Sequence, residues 1–325
     1  MQMYDIEEYY RPRRFPWLPV IVVAILTIVI GKAIFFSDSG ENSEAEVEAV
    51  ETVAASEGEV AAVAAPPAIA AVVPVPDKPI SKDEADASIA DARKMKTGGD
   101  LEGARNKFLS ILTRVDAATR PIIEREIGAL SIELFTSLHP MKGKVEYIIK
   151  SGDNLSGIAA RYECPVELIS KANNIKDPAK IRAGKKLIFP DHPKFSVVIS
   201  KSANTLTLLL DGVFFKNYAV GTGVNSKTPA GQFKIVEKIS NPPWWPGDGK
   251  PPVPYGDPKN ILGTRWLSIE STGDTPRVSG YGIHGTWDDS TIGKQSSAGS
   301  VRMRNKDVEE VFMLLPRGTP VSIVE

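Results

Sequence analysis

The sequence predicts a multidomain protein with one N-terminal transmembrane helix, an α-helical spacer, a small βααβ module and a mostly-β C-terminal domain. Three observations predict this order. An almost uninterrupted apolar run lies near the N-terminus, apolar residues then recur with a helical period, and short β-branched runs separated by Gly, Asn and Asp fill the last third. The 325 residues are enough for two or three domains. A net charge of -1 gives no general attraction to nucleic acid.

The apolar run covers residues 18–36 and contains one charge, Lys32. As a helix it has a length of about 28 Å, close to the roughly 30 Å of a membrane's hydrocarbon core. Arginines precede it and acidic residues follow it, so the positive-inside rule places residues 1–17 in the cytoplasm. We therefore expect a single-pass membrane protein whose C-terminal domains lie outside the cytoplasm. The resemblances given below imply that the membrane is the inner membrane and that these domains lie in the periplasm or cell-wall space. A cleaved signal peptide is the alternative.

The next two segments differ sharply in composition. Residues 37–80 are rich in Ala, Val, Glu and Pro without aromatic residues, which predicts a disordered linker. Residues 81–140 show a helical period, interrupted by the sequence TGGD, a helix stop followed by an N-cap at Asp100. This helical spacer resembles a tetratricopeptide-like repeat of about one and a half units, and a plain spacer is the alternative. A protein partner is expected to bind through it.

Residues 145–191 predict a strand, a turn, two short helices and a closing strand. The segment resembles a LysM module along its whole length, with landmarks that include Tyr162, Leu168 and Gly184. The resemblance implies binding of glycans that contain N-acetylglucosamine, in a groove between the strand–helix turn and the loop after the second helix. A LysM fold that has lost binding is the alternative. The implied glycan-binding residues are Gly152, Asp153, Leu155, Asn173 and Ile175.

The C-terminal domain, residues 194–325, contains the most informative segment, YGIHGTWDDSTIGKQSSAGSVRM at 281–303. A histidine, a Gly-rich turn, a serine in a nucleophile position and an arginine together are the layout of an acyl-transfer site. The segment closely resembles the signature of the L,D-transpeptidase (YkuD-type) catalytic domain, which reads H-G-T, then I-G, then S-x-G-C-[IV]-R-[ML]. The match fails at one residue, because the family's cysteine is Ser300 here.

The resemblance implies acyl transfer between peptidoglycan stem peptides, the cross-linking reaction of cell-wall biogenesis, without a cofactor or a metal. His284 is expected to be the general base and Ser300 the nucleophile. Gly285, Gly299 and the Ser300 N–H are expected to donate to the oxyanion. The side chains expected to contact substrate in the cleft are Arg302, Ser297, Trp266 and Tyr281.

Ser300 leaves three interpretations open. A cysteine thiol is partly ionised near neutral pH, whereas a serine hydroxyl has to lose its proton to a base during attack. The chain is an active transpeptidase that uses Ser300, or a catalytically inactive relative that binds peptidoglycan as a structural or regulatory module. In the third interpretation an ordinary cysteine enzyme has been changed at this residue. The presence of His284 and Arg302 argues against long drift of an inactive site.

Overall fold

The structure, a computed structural model, describes residues 78–247 and 249–325. The predicted transmembrane helix at 18–36 and nearly all of the predicted linker at 37–80 lie outside the described residues. Within those that are described, no helix is both long and apolar enough to cross a membrane. The described chain contains helices first, then a βααβ module, then a mostly-β domain, in the predicted order.

The helical spacer has three helices with an apolar core that includes the fully buried Phe108. Asp100 caps the second helix as predicted, because its side chain accepts a hydrogen bond from the Gly103 N–H at 2.8 Å. The third helix ends at Phe135, earlier than the Leu138 that the apolar pattern suggests. The helices are α1 (Lys82–Thr97), α2 (Leu101–Ile111) and α3 (Arg120–Phe135).

The LysM-like module has the predicted βααβ order. Asn154 caps its first helix by accepting a hydrogen bond from the Gly157 N–H at 2.8 Å. Its core is continuous with that of the C-terminal domain, so the two domains pack directly against each other. The elements are β1 (Lys144–Ile148), α4 (Leu155–Arg161), α5 (Val166–Ala172) and β2 (Lys186–Pro190), with β1 and β2 antiparallel.

The C-terminal domain is built on an eight-stranded mixed sheet in the order β11-β9-β8-β7-β12-β3-β4-β5. A short parallel pair, β6 with β10, lies beside it. The main strands are β3 (Phe195–Ser200), β4 (Thr205–Leu210), β5 (Val213–Ala219), β7 (Gly231–Ser240), β8 (Arg265–Ser271), β9 (Gly282–Thr286), β11 (Val301–Arg304) and β12 (Pro320–Val324). The short ones are β6 (Thr222–Gly223) and β10 (Gln295–Ser297).

One helix, α6 (Asn305–Leu314), completes the domain. The sequence pattern places its start at Asp307, but the chain leaves β11 at Arg304 and enters the helix directly. Asp307 consequently lies in the first turn of α6, half-buried, where burial raises the pKa of its carboxyl.

The helical spacer is packed onto the edge strand β5. The ring of Phe135 meets those of Phe195 and Phe215 edge to face, with centroids 5.7 and 5.0 Å apart. Beside this cluster, Asn217 Nδ2 donates a hydrogen bond to Glu124 Oε2 at 2.9 Å. A helix that covers an edge strand shields it from pairing with other chains. The spacer therefore packs as part of the C-terminal domain.

Candidate active site

Four side chains form a row across the sheet at the candidate site. They are paired in turn across β7, β8, β9 and β11 and consist of Ile239, Trp266, His284 and Arg302. Directly opposed residues project to the same face of a sheet, so the row faces one side. The adjacent row projects to the opposite side, where α6 packs, and consists of Lys238, Leu267, Ile283 and Val301. Sheet register thus brings the histidine and the arginine side by side.

His284 is buried, and its ring is held in one tautomer. Its Nδ1 lies 2.6 Å from the carbonyl oxygen of Gly285. A carbonyl only accepts hydrogen bonds, so Nδ1 bears the proton and the neutral ring keeps its lone pair on Nε2. Burial lowers the pKa of His284 from 6.5 to about 4, against the opposing effect of the Gly285 bond and with a further lowering by the charge of Arg302. The imidazole is therefore neutral at neutral pH.

Ser300 is half-buried at the end of a tight loop between β10 and β11. Ser297 Oγ accepts a hydrogen bond from the Gly299 N–H at 3.0 Å and donates one to the Ser300 carbonyl at 2.6 Å. Thr228 Oγ1 donates to the Gly299 carbonyl at 2.8 Å. Gly299 has a φ of +142°, and a Cβ there would lie 2.5 Å from the Tyr281 ring. The loop that presents Ser300 therefore requires glycine at this position.

His284, Ser300 and Arg302 line a single cleft of about 600 Å³. A Pro- and Trp-rich loop after β7 forms one wall, and the segment before β9 forms another. Arg302 is half-buried in this cleft. Its neighbour Arg304 is paired with two aspartates, whereas no carboxylate of residues 78–247 and 249–325 lies within ion-pair distance of Arg302. The cleft thus contains a neutral imidazole, a hydroxyl, the carboxylate of Glu237 and a guanidinium that has no ion-pair partner among the described residues.

The structure brings the predicted residues together but gives three of them different partners from those expected. Gly285 acts through its carbonyl oxygen, which accepts from His284, and not through an N–H aimed into the cleft. The Gly299 N–H donates to the hydroxyl of Ser297, and this hydroxyl in turn donates to the Ser300 carbonyl. The Ser300 N–H has no acceptor within the described part of the chain, so it is the backbone donor left for an oxyanion.

The predicted glycan groove of the LysM module is only partly exposed. Leu155 is 1% exposed and belongs to the module's core, which contradicts a direct contact between its side chain and a glycan. The side-chain amide of Asn173 donates to one carbonyl of α5 and one of β2 and accepts from the Ile188 N–H, so it makes all these hydrogen bonds within the module. The Asp153 carboxylate accepts from a tyrosine hydroxyl at 2.7 Å and a backbone N–H at 2.8 Å. Gly152 is exposed and Ile175 half-buried, so the groove itself stays a prediction.

Two asparagines that sequence reasoning did not single out support the site. Asn305 Oδ1 accepts from the Thr264 N–H at 3.0 Å, and a Cβ on Gly285 would lie 2.2 Å from that oxygen. Asn260 is fully buried and donates to two carbonyls of the cleft loop, at 2.9 and 3.1 Å. An asparagine in a loop gives no sequence signal of burial, since the residue type is usually exposed.

Two family models of known proteins match this chain, one in each of its last two domains. The family model of the L,D-transpeptidase catalytic domain (YkuD) matches residues 194–323, and that of the LysM domain matches residues 147–190. YkuD of Bacillus subtilis strain 168, named as an L,D-transpeptidase, is 33% identical over 183 residues, which are 54% of this chain and 97% of that protein. YqjB of the same strain, also named as an L,D-transpeptidase, is 36% identical over 130 residues, 40% of this chain and 70% of its own.

Among solved structures, an L,D-transpeptidase from Mycobacterium tuberculosis H37Rv covers 44% of this chain and 63% of its own, with 19% identity and a TM-score of 0.33. The sequence matches carry the assignment, because one relative aligns over almost its entire length at one-third identity. They agree with the motif at residues 281–303 and with the module before it. The chain belongs to the YkuD-type L,D-transpeptidase family and has a LysM domain ahead of its catalytic domain.

Proposed function

We propose that this protein transfers acyl groups between peptidoglycan stem peptides, with His284 as the base and Ser300 as the nucleophile. LysM and L,D-transpeptidase domains indicate peptidoglycan binding. One observation carries the catalytic part of the proposal. The bond from His284 Nδ1 to the Gly285 carbonyl leaves Nε2 as the only basic atom of the ring, in a side chain that lines the same cleft as Ser300.

The reaction has two half-reactions. In the first, Nε2 of His284 takes the hydroxyl proton as Ser300 Oγ attacks the carbonyl carbon of the donor stem, and the Ser300 N–H donates to the oxyanion. The proton then passes to the leaving amine of the terminal D-alanine, and an acyl ester remains on Ser300. In the second, the side-chain amine of another stem attacks this ester, His284 again accepts a proton, and the serine hydroxyl is restored.

Arg302 is assigned to the carboxylate of the donor stem. Its guanidinium has no acidic partner in the described chain and lies beside His284 in the row of paired residues. Planar guanidinium groups bind carboxylates through two parallel hydrogen bonds. Binding at this point places a terminal carboxylate next to the base, as attack on the last peptide bond of a stem requires.

A second function, peptidoglycan binding without catalysis, is favoured by one specific observation. The pKa of His284 is about 4, which makes the imidazole a weak base for a serine hydroxyl. General bases work best when their pKa is near the working pH. A cysteine at position 300 would depend less on His284 for its deprotonation, because a thiol ionises far more readily than a hydroxyl. In this alternative the cleft and the LysM domain bind peptidoglycan, and the protein acts as a structural or regulatory module.

The location of the protein is part of the proposal and rests on the sequence pattern alone. An anchor at residues 18–36 would hold the LysM and catalytic domains on the outer side of the inner membrane, beside the wall.

A protein partner for the helical spacer is likewise proposed from the sequence pattern alone. Since α3 is packed on β5, such a partner has to use the faces of α1 and α2 that remain exposed.

The test uses the full chain with disaccharide tetrapeptide as substrate. Mass spectrometry follows the cross-linked dimer and an acyl adduct on Ser300, with Ser300→Cys and Ser300→Ala measured beside the parent. Dimer formation by the parent and not by Ser300→Ala supports the proposal. Dimer formation by Ser300→Cys alone shows that serine has replaced a working cysteine. If neither the parent nor Ser300→Cys forms dimer while both bind isolated sacculi, the protein binds peptidoglycan without catalysing transfer.

A further inference from the structure

We propose that three exposed aromatic side chains at the mouth of the cleft form a stacking platform for the sugar rings of the glycan strand. This aromatic platform consists of Trp245, Tyr255 and Trp287. The inference rests on the proposed function, because it assigns the sugar part of the same substrate to the catalytic domain and not to the LysM domain alone.

The exposure of these three rings is the first argument. Trp245 is 65% exposed, Trp287 54% and Tyr255 40%. Among the residues that the structure describes, no other Trp, Tyr or Phe reaches this degree of exposure. Aromatic side chains have large apolar areas, so leaving three of them in water is unfavourable unless a ligand covers them. All three belong to the catalytic domain and none to the spacer or the LysM module.

One ring of the platform lines the cleft, and the other two contact each other. The rings of Tyr255 and Trp287 contact each other with centroids 6.2 Å apart and planes tilted by 47°. Trp245 lines the cleft itself, together with Ile261. Trp287 directly follows β9, the strand on which His284 lies. In the proposal, the ligand runs from the reacting groups past Trp245 towards the other two rings.

Hydrogen bonds hold the described flanks of the segment that contributes two of the rings. Trp244 and Val253 exchange backbone hydrogen bonds of 2.8 and 2.7 Å, and Trp245 and Tyr255 lie close to this bridge in the sequence. The buried Asn260 ties the two ends of the segment together, as described above. Several prolines lie in between, and proline reduces the freedom that a loop has to lose on binding. A backbone that is held beside the rings lowers the entropic cost of binding a ligand there.

A sugar ring suits this surface. The faces of aromatic rings are electron-rich and attract the polarised C–H groups on one face of a hexose, while its hydroxyls stay in water. Chain length supports the same ligand. The acyl carbon of the donor is three residues from the sugar, and three extended residues span at most about 11 Å. The sugar of a stem bound at Ser300 consequently lies within about 11 Å of the acyl carbon.

The chain contains its own reporter for this site. Four of its five tryptophans lie in the catalytic domain, and none lies in the LysM module at 147–190. Intrinsic tryptophan fluorescence of the full chain therefore follows sugars at the cleft without a signal from sugars on the LysM domain. The four are Trp244, Trp245, Trp266 and Trp287.

The experiment compares two probes, a disaccharide tetrapeptide and the sugar-free tetrapeptide of the same sequence, by fluorescence titration of the full chain. We expect the sugar to tighten binding to the parent. Tyr255→Ala and Trp287→Ala should each reduce this advantage by about three- to tenfold, the range expected for one aromatic contact, and leave the affinity for the sugar-free peptide unchanged. Val213→Ala, at an exposed apolar residue on β5, is the control and should change neither value.

Three results would overturn the inference. The first is an equal affinity of the parent for the two probes. The second is a parallel loss of both affinities in the variants, which would indicate a peptide contact. The third is binding to phosphatidylglycerol vesicles that Trp287→Ala abolishes without any sugar effect, which would indicate a membrane surface. Absence of acyl transfer with an intact sugar effect would refute the proposed activity and leave the platform standing.

Discussion

Trp266 stacks on His284, with ring centroids 5.7 Å apart and planes inclined by 29°. Space for the indole comes from Gly282, where a Cβ would lie 2.7 Å from the Trp266 ring. The stack covers the imidazole on the side of β8 and contributes to the burial that lowers its pKa. The indole therefore lies against the imidazole whose orientation the Gly285 carbonyl fixes.

Replacement of this indole is expected to make His284 more basic. Trp266→Leu removes much of the cover over the ring, so the pKa of His284 should rise from about 4 towards 6.5. An NMR titration of the imidazole resonances measures the change. Trp287→Leu is the control, because Trp287 is outside the row of paired residues. An unchanged pKa in Trp266→Leu would show that other groups bury the ring.

Stability should depend on pH through His284. Its pKa is about 4 in the folded protein and near 6.5 in the unfolded chain, so only the unfolded state takes up the proton between these values. The contribution is fully present above pH 6.5 and is lost as the pH falls to 4, by about 3 kcal/mol. Urea unfolding of the parent and of His284→Gln at both pH values measures it. Equal losses in the two proteins would contradict the assignment.

The loop before β11 should not tolerate a side chain at position 299. Gly299→Ala combines a φ of +142° with an overlap on the Tyr281 ring. We expect a loss of about 2–3 kcal/mol in the free energy of unfolding. Gly293→Ala is the matched control, since Gly293 also has a positive φ but has open space around it. It should lose about 1 kcal/mol by strain alone. Similar losses in the two variants would remove the case for a crowded loop.

The hydroxyl of Ser297 should matter for the loop and not for substrate contact. Ser297→Ala leaves the buried Gly299 N–H without its acceptor and is expected to cost about 1–3 kcal/mol. Ser296→Ala, whose hydroxyl makes only a 3.5 Å contact, should be nearly neutral. Chemical denaturation of both variants gives the comparison. A stable Ser297→Ala protein with weakened peptide binding would restore the contact role that the motif suggests.

The spacer and the catalytic domain should unfold together. Phe135 is 2% exposed in the cluster with Phe195 and Phe215, so Phe135→Ala should destabilise the protein by about 3–5 kcal/mol. Calorimetry of the parent should show one transition for the two parts. Leu138→Ala is the control at a position that is half exposed. Two separate transitions in the parent would mean that the spacer is an independent domain.

Local patterns were sufficient for much of this protein. The N-cap at Asp100, the βααβ order of the LysM module and the residues of the motif around His284 are all readable within short windows, because each depends on neighbours in the chain. Helix ends were less accurate, as at Phe135, since the last turn depends on what the helix packs against. The membrane helix at 18–36 stays a prediction.

By itself, the sequence determined the family and the histidine and serine of its motif, with the serine in the cysteine position, because these are properties of a contiguous segment. Only the tertiary structure decided how His284 and Arg302 meet, which carbonyl orients the imidazole, and that the hydroxyl of Ser297 is committed to the loop. It also placed Tyr255 against Trp287, two residues far apart in the chain. The physical reason is that strand register and loop packing are set by long-range contacts, which no local pattern encodes.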